Sequence, residues 1–117
     1  MTGHAREVTH TLADELRRAA RDAADRPFLR MMQGEWTFAE IDWQSDLAAS
    51  ALARQGVGKG DVVSLMLPNC LEFVVLWFAL AKLGAVMAPI NTAFRGQILL
   101  DAANLVESRL LVAHAGL

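Results

Sequence analysis

The sequence predicts an α/β fold with a partial parallel sheet, and the segment from Val62 to Arg95 carries the observations that predict it. Residues Val62–Leu67 are apolar except for one serine, which is typical of a strand covered on both faces. A helix that is apolar on nearly all sides follows over residues 71–83, and Gly84 ends it. A second apolar strand then runs to Pro89. Strand, helix and strand in this order predict a βαβ unit.

The flanking residues extend this unit in both directions. Asn69, with Glu72 three residues later, predicts a capping box at the start of the central helix. Apolar residues at helical spacing predict another helix from Gly96 to about Glu107, and 109–113 is then a third core strand. The order β-α-β-α-β from residue 62 predicts a parallel sheet with right-handed crossovers.

A helix and a hairpin are predicted before the sheet. Thr11, with Asp14 three residues on, can cap a first helix. Segments 28–32 and 35–38 then predict two short strands joined around Gln33-Gly34, where glycine can adopt a positive φ.

A second helix is predicted between the hairpin and the sheet. Thr37 and Glu40 form a stronger capping box, and the helix runs until Gly56. Asp42 and Asp46, taken with Glu40, resemble a carboxylate cluster. Their helical spacing instead predicts one cap and a solvated acidic face.

Composition bounds the class of protein. A chain of 117 residues is one domain at most, and 54% apolar residues suffice for a modest core. A net charge of −2 gives no electrostatic basis for binding nucleic acid or an anionic membrane. Cys70 is the single cysteine, so no internal disulfide is possible, and we expect a cytoplasmic protein. The N-terminus lacks the apolar region of a secretory signal, and the apolar run 73–81 is too short to span a bilayer.

The glycine-rich segment 56–60 is not predicted to bind phosphate. Ala53 stands where a Walker motif requires glycine, and Gly60 stands where it requires serine or threonine. We expect a turn in which Lys59 and Asp61 stay solvated. The segment after the first core strand also lacks the glycines of a dinucleotide fingerprint.

No catalytic residue and no metal ligand is predicted. Cys70 has no histidine near it in sequence, and a lone cysteine in an apolar segment is usually a packing residue. His4, His10 and His114 show no metal-ligand spacing.

The run LMLPNCLEF…WFALAKLGAVMAPINTAFR resembles the N-terminal region of the AMP-forming acyl-CoA synthetases, which belong to the adenylate-forming ligase superfamily. Segments 36–40 (WTFAE) and 56–61 (GVGKGD) resemble the two preceding landmarks in the family's order and spacing. The resemblance covers roughly residues 11–113, and the sequence is most similar to those of the acid–CoA ligases of the carnitine/crotonobetaine type.

The resemblance implies a parent enzyme that activates a small carboxylic acid with ATP and Mg²⁺ and transfers the acyl group to coenzyme A. Family members place this chemistry in a Ser/Thr/Gly-rich loop ending in lysine, in later acidic and aromatic motifs, and in a lysine of a mobile C-terminal domain. None of these motifs occurs in the 117 residues. The expectation is therefore that residues 1–117 are an incomplete N-terminal subdomain, an inactive scaffold that binds no cofactor alone.

Arg95 is the one candidate cofactor-binding residue. In some CoA-forming relatives, a basic residue shortly after the asparagine at Asn91 contacts the nucleotide part of CoA. The aligned position here is Ala93, so Arg95 would have to supply the phosphate contact instead. The alternatives are that Arg95 is a solvated residue near a helix start and that Asn91 forms a turn.

An apolar helix at 71–83 needs cover on most sides, which a three-stranded fragment does not provide. We therefore expect a large exposed apolar patch there, and association with the remainder of the parent domain or with a second copy.

Other interpretations stay open. They are a peptide-synthetase adenylation domain, a luciferase-like enzyme, an interaction module without catalysis, and a small nucleotide-binding protein, which the missing glycine fingerprint disfavours.

Overall fold

A computed structural model describes residues 11–114 as four helices and five strands. A two-stranded antiparallel hairpin, β1–β2, precedes a three-stranded parallel sheet in which β3 lies between β4 and β5. The predicted α/β class and the β-α-β-α-β order are confirmed. The elements are α1 (Leu12–Asp22), β1 (Pro27–Met31), β2 (Gly34–Thr37), α2 (Phe38–Arg54), β3 (Val62–Met66), α3 (Leu71–Leu83), β4 (Val86–Pro89), α4 (Gly96–Leu105) and β5 (Leu110–Ala113).

The first face of the sheet carries the main core. Val63 and Leu65 of β3 are fully buried against α2 and α3, and Leu80 of α3 is buried with them. Leu110 and Val112 of β5 lie beside those β3 residues on the same face, because parallel strands in register present paired residues on one side.

A second core lies on the other side of the helices. Leu16 of α1, Ile41 of α2 and Phe78 of α3 pack together. Phe28 of the hairpin stacks on Phe38 with ring centroids 4.5 Å apart and meets Phe78 edge-on at 5.7 Å. The helix and hairpin at the start of the chain thereby cover α3.

Two of the three predicted capping boxes form. Asp14 donates its backbone N–H to the Thr11 hydroxyl at 3.1 Å, and the Glu40 backbone N–H donates to Thr37 at 3.2 Å. The predicted Asn69 box is wrong. Helix α3 begins after Cys70, which makes no side-chain cap bond, so Asn69 stands one residue before the N-cap position.

The hairpin turn is shifted from the predicted Gln33-Gly34 by one residue, to Met32 and Gln33. Gly34 has a positive φ of 154° but pairs with Met31 inside the ladder. Arg30 lies opposite Glu35 in this register, and their side chains form an ion pair at 2.7 Å. This cross-strand pair favours the observed register over the predicted one.

The exposed apolar surface lies elsewhere than predicted. Helix α3 is covered by α1, α2 and the sheet, and Trp77 is its one large exposed apolar side chain. Helix α4, by contrast, has no buried residue within the described chain, and Ile98, Leu100 and Leu105 are exposed on it. Between residues 11 and 114, no helix has both the length and the apolar character that a membrane crossing needs.

Candidate functional site

The loop after β4 lies at the carboxyl end of the sheet, where open α/β proteins bind ligands. Asn91 shapes this loop. Its side-chain oxygen accepts the backbone N–H of Ala93 at 2.8 Å, and its carbonyl accepts that of Phe94 at 3.1 Å. These bonds make Asn91 a turn former, as one of the two alternatives predicted.

Arg95 closes the same loop and stands at the N-cap position of α4. Its Nη1 donates to the carbonyl oxygens of Thr92 and Phe94, both at 2.6 Å, so the guanidinium braces the turn. The residue is exposed, and no carboxylate of residues 11–114 pairs with it. A guanidinium without a carboxylate partner at a helix start is suited to an anionic group. Nothing in this geometry tests whether the anion is a CoA phosphate, which stays a prediction.

A cleft of about 260 Å³ lies where β3 and β5 end. It brings together Cys70 and His114, which the sequence analysis left unconnected. The shared signal was their position after two strands of a parallel sheet, because the carboxyl ends of such strands meet at one edge. In the part of the chain that is described, no three His, Cys, Asp or Glu side chains are placed to hold a metal ion. His4 and His10 lie outside the described residues. The cleft is lined by Gln33, Trp36, Cys70, Leu71, Glu72 and His114.

The glycine-rich connection lies at the opposite, amino end of β3. The backbone N–H of Gly58 donates to Asp61 Oδ2 at 2.8 Å, and Gly60 donates to the carbonyl of Gly84 at 2.9 Å. Lys59 is exposed as predicted, but Asp61 is only half-exposed and lies 3.8 Å from Arg109 Nε. These bonds close a turn and tie it to the end of α3.

A buried cation joins α2 to α3. The side chain of Lys82 is 3% exposed, and its Nζ donates to Asp42 Oδ1 at 2.6 Å, to the Asp42 carbonyl at 2.9 Å and to Asp46 Oδ1 at 2.7 Å. These contacts use all three ammonium protons. The predicted solvated face is confirmed for Asp46, which is exposed. The prediction is wrong for Asp42, because that side chain is only partly exposed and binds a lysine of another helix. Glu40 is a cap, as predicted.

The family model that describes AMP-binding enzymes matches residues 16–116. Curated relatives also match this chain. The Humulus lupulus protein named probable CoA ligase CCL9 is 38% identical over 87% of this chain and 20% of its own length. The medium/long-chain-fatty-acid–CoA ligase FadD6 of Mycobacterium tuberculosis is 35% identical over 86% of this chain and 17% of its own length. The crotonobetaine/carnitine–CoA ligase of Proteus mirabilis is 45% identical over 51% and 12%.

Solved structures share the fold. The N-terminal subdomain of Klebsiella oxytoca NpsA, in complex with anthranilyl-AMSN, superposes with a TM-score of 0.83 at 25% identity over 88% of this chain and 27% of that one. An artificially fused adenylation–PCP di-domain NRPS, NpsA-ThdA, gives the same score, and VinN gives 0.85 at 22% identity. The chain spans a fifth or less of the length of the curated relatives named above and corresponds to their N-terminal part. It therefore belongs to the AMP-binding enzyme family.

Proposed function

We propose that residues 1–117 are an incomplete N-terminal subdomain of an ATP-dependent acid–CoA ligase, and that they serve as scaffold without activity of their own. In the parent enzyme, the carboxylate of a small acid attacks the α-phosphate of ATP and releases pyrophosphate. The thiol of coenzyme A then attacks the acyl carbonyl and releases AMP. Mg²⁺ would shield the phosphates in the first step.

The observation that carries this proposal is identity to CoA ligases along nearly the whole chain, which is 38% with CCL9 over 87% of it and 35% with FadD6 over 86% of it. The structure supports a scaffold role in particular. Its buried side chains pack strands and helices, and the ion pairs of Lys82 tie two helices together.

The proposal also places the parent in the cytoplasm. The single cysteine, Cys70, is free, as is usual for cysteines of cytoplasmic proteins. The net charge of −2 also offers no basis for nucleic-acid binding. Fractionation of cells that express the tagged parent enzyme from its complete reading frame would test this localisation.

Complementation tests the enzymatic assignment. A FadD6 polypeptide that lacks the segment aligned with this chain would be mixed with the 117 residues, and ATP–pyrophosphate exchange would be measured with medium- and long-chain fatty acids. We expect exchange from the mixture and background rates from each piece alone. Exchange catalysed by this chain alone would contradict the scaffold role. A stable complex without exchange would contradict the assignment to acid–CoA ligases.

Arg95 gives a prediction for the same mixture when acyl-CoA formation is measured beside pyrophosphate exchange. Arg95→Ala should raise the KM for CoA about tenfold, roughly 1.4 kcal/mol, and leave pyrophosphate exchange unchanged, because the proposed contact is made only to CoA. Arg95→Lys keeps the charge and should fall between the two. Arg54→Ala, which removes an exposed arginine at the end of α2, is the matched control and should change neither value. Equal effects of Arg95→Ala and Arg54→Ala would refute the CoA contact.

A peptide-synthetase adenylation domain is the second candidate, since the fused adenylation–PCP di-domain NRPS NpsA-ThdA superposes at a TM-score of 0.83 with 25% identity. The two candidates differ in the thiol that accepts the acyl group. Enzyme expressed from the complete reading frame of the parent should form acyl-CoA if the ligase proposal is correct. Loading of a carrier-protein phosphopantetheine without acyl-CoA formation would favour the second candidate.

A further inference from the structure

Helix α2 carries large apolar side chains on the side that faces away from the core. Its buried residues lie on one face of the helix and are Ile41, Ser45, Ala49 and Leu52. Trp43 and Leu47, one turn apart, lie on the opposite face and are 63% and 54% exposed. Tryptophan is enriched at protein interfaces, where it often contributes a large share of the binding energy. An exposed tryptophan beside an exposed leucine therefore indicates a contact surface.

This surface runs along the whole helix. Positions 40, 43, 47, 50 and 54 follow one another at steps of three and four residues, and the side chain at each is exposed. Such steps keep side chains on one face and are the spacing at which two helices pack side by side. We call these residues, with the neighbouring exposed alanine, the α2 stripe: Glu40, Trp43, Leu47, Ser50, Ala51 and Arg54.

The α2 stripe is complementary to itself when two copies lie antiparallel. A two-fold axis at Leu47 places residues that are equally distant from Leu47 in sequence opposite each other. Glu40 and Arg54 are both seven residues away, so a carboxylate faces a guanidinium at each end of the helix pair. Trp43 and Ala51 are both four residues away, so each indole faces a methyl group. A large side chain opposite a small one lets the two helices approach closely.

The structure holds both charged ends of the stripe close to the helix. Glu40 Oε1 accepts the backbone N–H of Thr37 at 2.9 Å, and a carboxylate keeps acceptor capacity for a second donor. Arg54 Nε donates to the carbonyl of Ser50 at 3.4 Å, so its guanidinium lies along the stripe. Less side-chain entropy is then lost when the two charges pair across the axis.

Other arrangements and partners fit the stripe less well. A parallel pair would place Glu40 opposite Glu40 and Trp43 opposite Trp43, which sets like charges together and crowds two indoles. An anionic membrane is disfavoured because the stripe has one basic residue, Arg54, and one acidic residue, Glu40. A second copy of the same helix satisfies both the charges and the side-chain sizes.

We infer that the α2 stripe is a homodimer contact, in which two copies of this chain pair their α2 helices antiparallel across a two-fold axis at Leu47. The inference places the second copy on α2, whereas the sequence predicted an apolar patch for it on the helix at 71–83. It does not depend on ligase activity.

Sedimentation equilibrium of the 117-residue chain tests the inference. We expect a monomer–dimer equilibrium with a Kd on the order of 100 μM, because one pair of 17-residue helices buries less area than a standard protein interface. Leu47→Glu places two carboxylates opposite each other at the axis and should raise this Kd about tenfold or more. Leu100→Glu on α4 is the matched control, because Leu100 is 57% exposed, and it should change the Kd less than about twofold.

An exchange of charges tests the antiparallel register. Glu40→Arg sets two arginines opposite each other at both ends of the helix pair, and Arg54→Glu sets two glutamates there. Each variant alone should therefore dimerise about fivefold more weakly. An equimolar mixture restores both pairs of opposite charge in a mixed dimer and should recover the original Kd. Recovery also shows that Glu40→Arg still folds, although this substitution removes a capping residue of α2.

Three results would overturn the homodimer contact. The chain could stay monomeric at about 1 mM, tenfold above the expected Kd. Leu100→Glu could weaken the dimer as much as Leu47→Glu, which would move the contact away from α2. The mixture of charge variants could associate as weakly as each variant alone, which would refute the antiparallel register. Circular dichroism of each variant separates a lost dimer from a lost helix. None of these measurements uses pyrophosphate exchange, so they test the contact separately from the proposed function.

Discussion

The two sides of the parallel sheet differ in how their helices are covered. Helices α3 and α4 are both rich in leucine and alanine, yet Leu80 of α3 is fully buried and Leu100 of α4 is exposed. The difference comes from neighbouring elements. Helix α2 packs on the sheet together with α3, and α1 and the hairpin cover the other side of α3. No such layer lies over α4 in residues 11–114. Apolar composition thus predicts that a helix needs cover, and the other elements decide whether it has any.

A leucine-to-alanine substitution on each helix should give the largest difference in the free energy of unfolding between the two sides of the sheet. Leu80→Ala should lower the free energy of unfolding by about 2–5 kcal/mol, because it leaves a cavity in the main core. Leu100→Ala should change it by less than about 0.5 kcal/mol, since an exposed side chain loses little burial. Urea denaturation followed by circular dichroism measures both values.

A loss for Leu100→Ala that approaches the loss for Leu80→Ala would show that α4 is already packed in the isolated chain. That result would remove the difference between the two faces of the sheet. Leu47→Ala on α2, at a similar exposure, controls for changes in helix propensity.

The ion pairs of Lys82 with Asp42 and Asp46 lie on the covered side of the sheet. They test how much burial adds to a charged contact. Lys82→Met should cost about 2–3 kcal/mol, since Asp42 then loses a charged partner in a half-buried position. Asp46 is 60% exposed and can recover hydration, which keeps the cost at this level. Arg30→Met removes the exposed hairpin pair with Glu35 and should cost less than about 1 kcal/mol. Equal losses in urea denaturation would mean that burial adds nothing to the lysine contacts.

Local signals predicted the elements well and their long-range contacts poorly. The bounds of α3 matched because Gly84 takes a left-handed φ of 71° and can end a helix without strain. The Lys82 contacts were missed because their partners, Asp42 and Asp46, lie on another helix, and spacing along one helix does not reveal a partner on the next.

At the candidate site, too, local contacts were predicted and long-range contacts were missed. The prediction that Asn91 forms a turn succeeded because the bonds that make this turn reach only two and three residues along the chain. The meeting of Cys70 and His114 in one cleft depends on the pairing of β3 with β5, which sequence spacing does not specify. Arg95 has the position that the sequence predicted, after the second core strand, and its ligand remains to be tested.

Helix capping gives the smallest expected effect and tests a correction. Thr37→Ala should cost about 1 kcal/mol, because the Glu40 backbone N–H loses its acceptor at the start of α2. Asn69→Ala should cost less than about 0.3 kcal/mol, because Asn69 is exposed and precedes the N-cap of α3 without capping it. Paired urea titrations measure the difference, with Thr11→Ala as the equivalent cap at α1. A loss for Asn69→Ala as large as that for Thr37→Ala would restore the capping box that the sequence predicted and place the start of α3 one residue earlier.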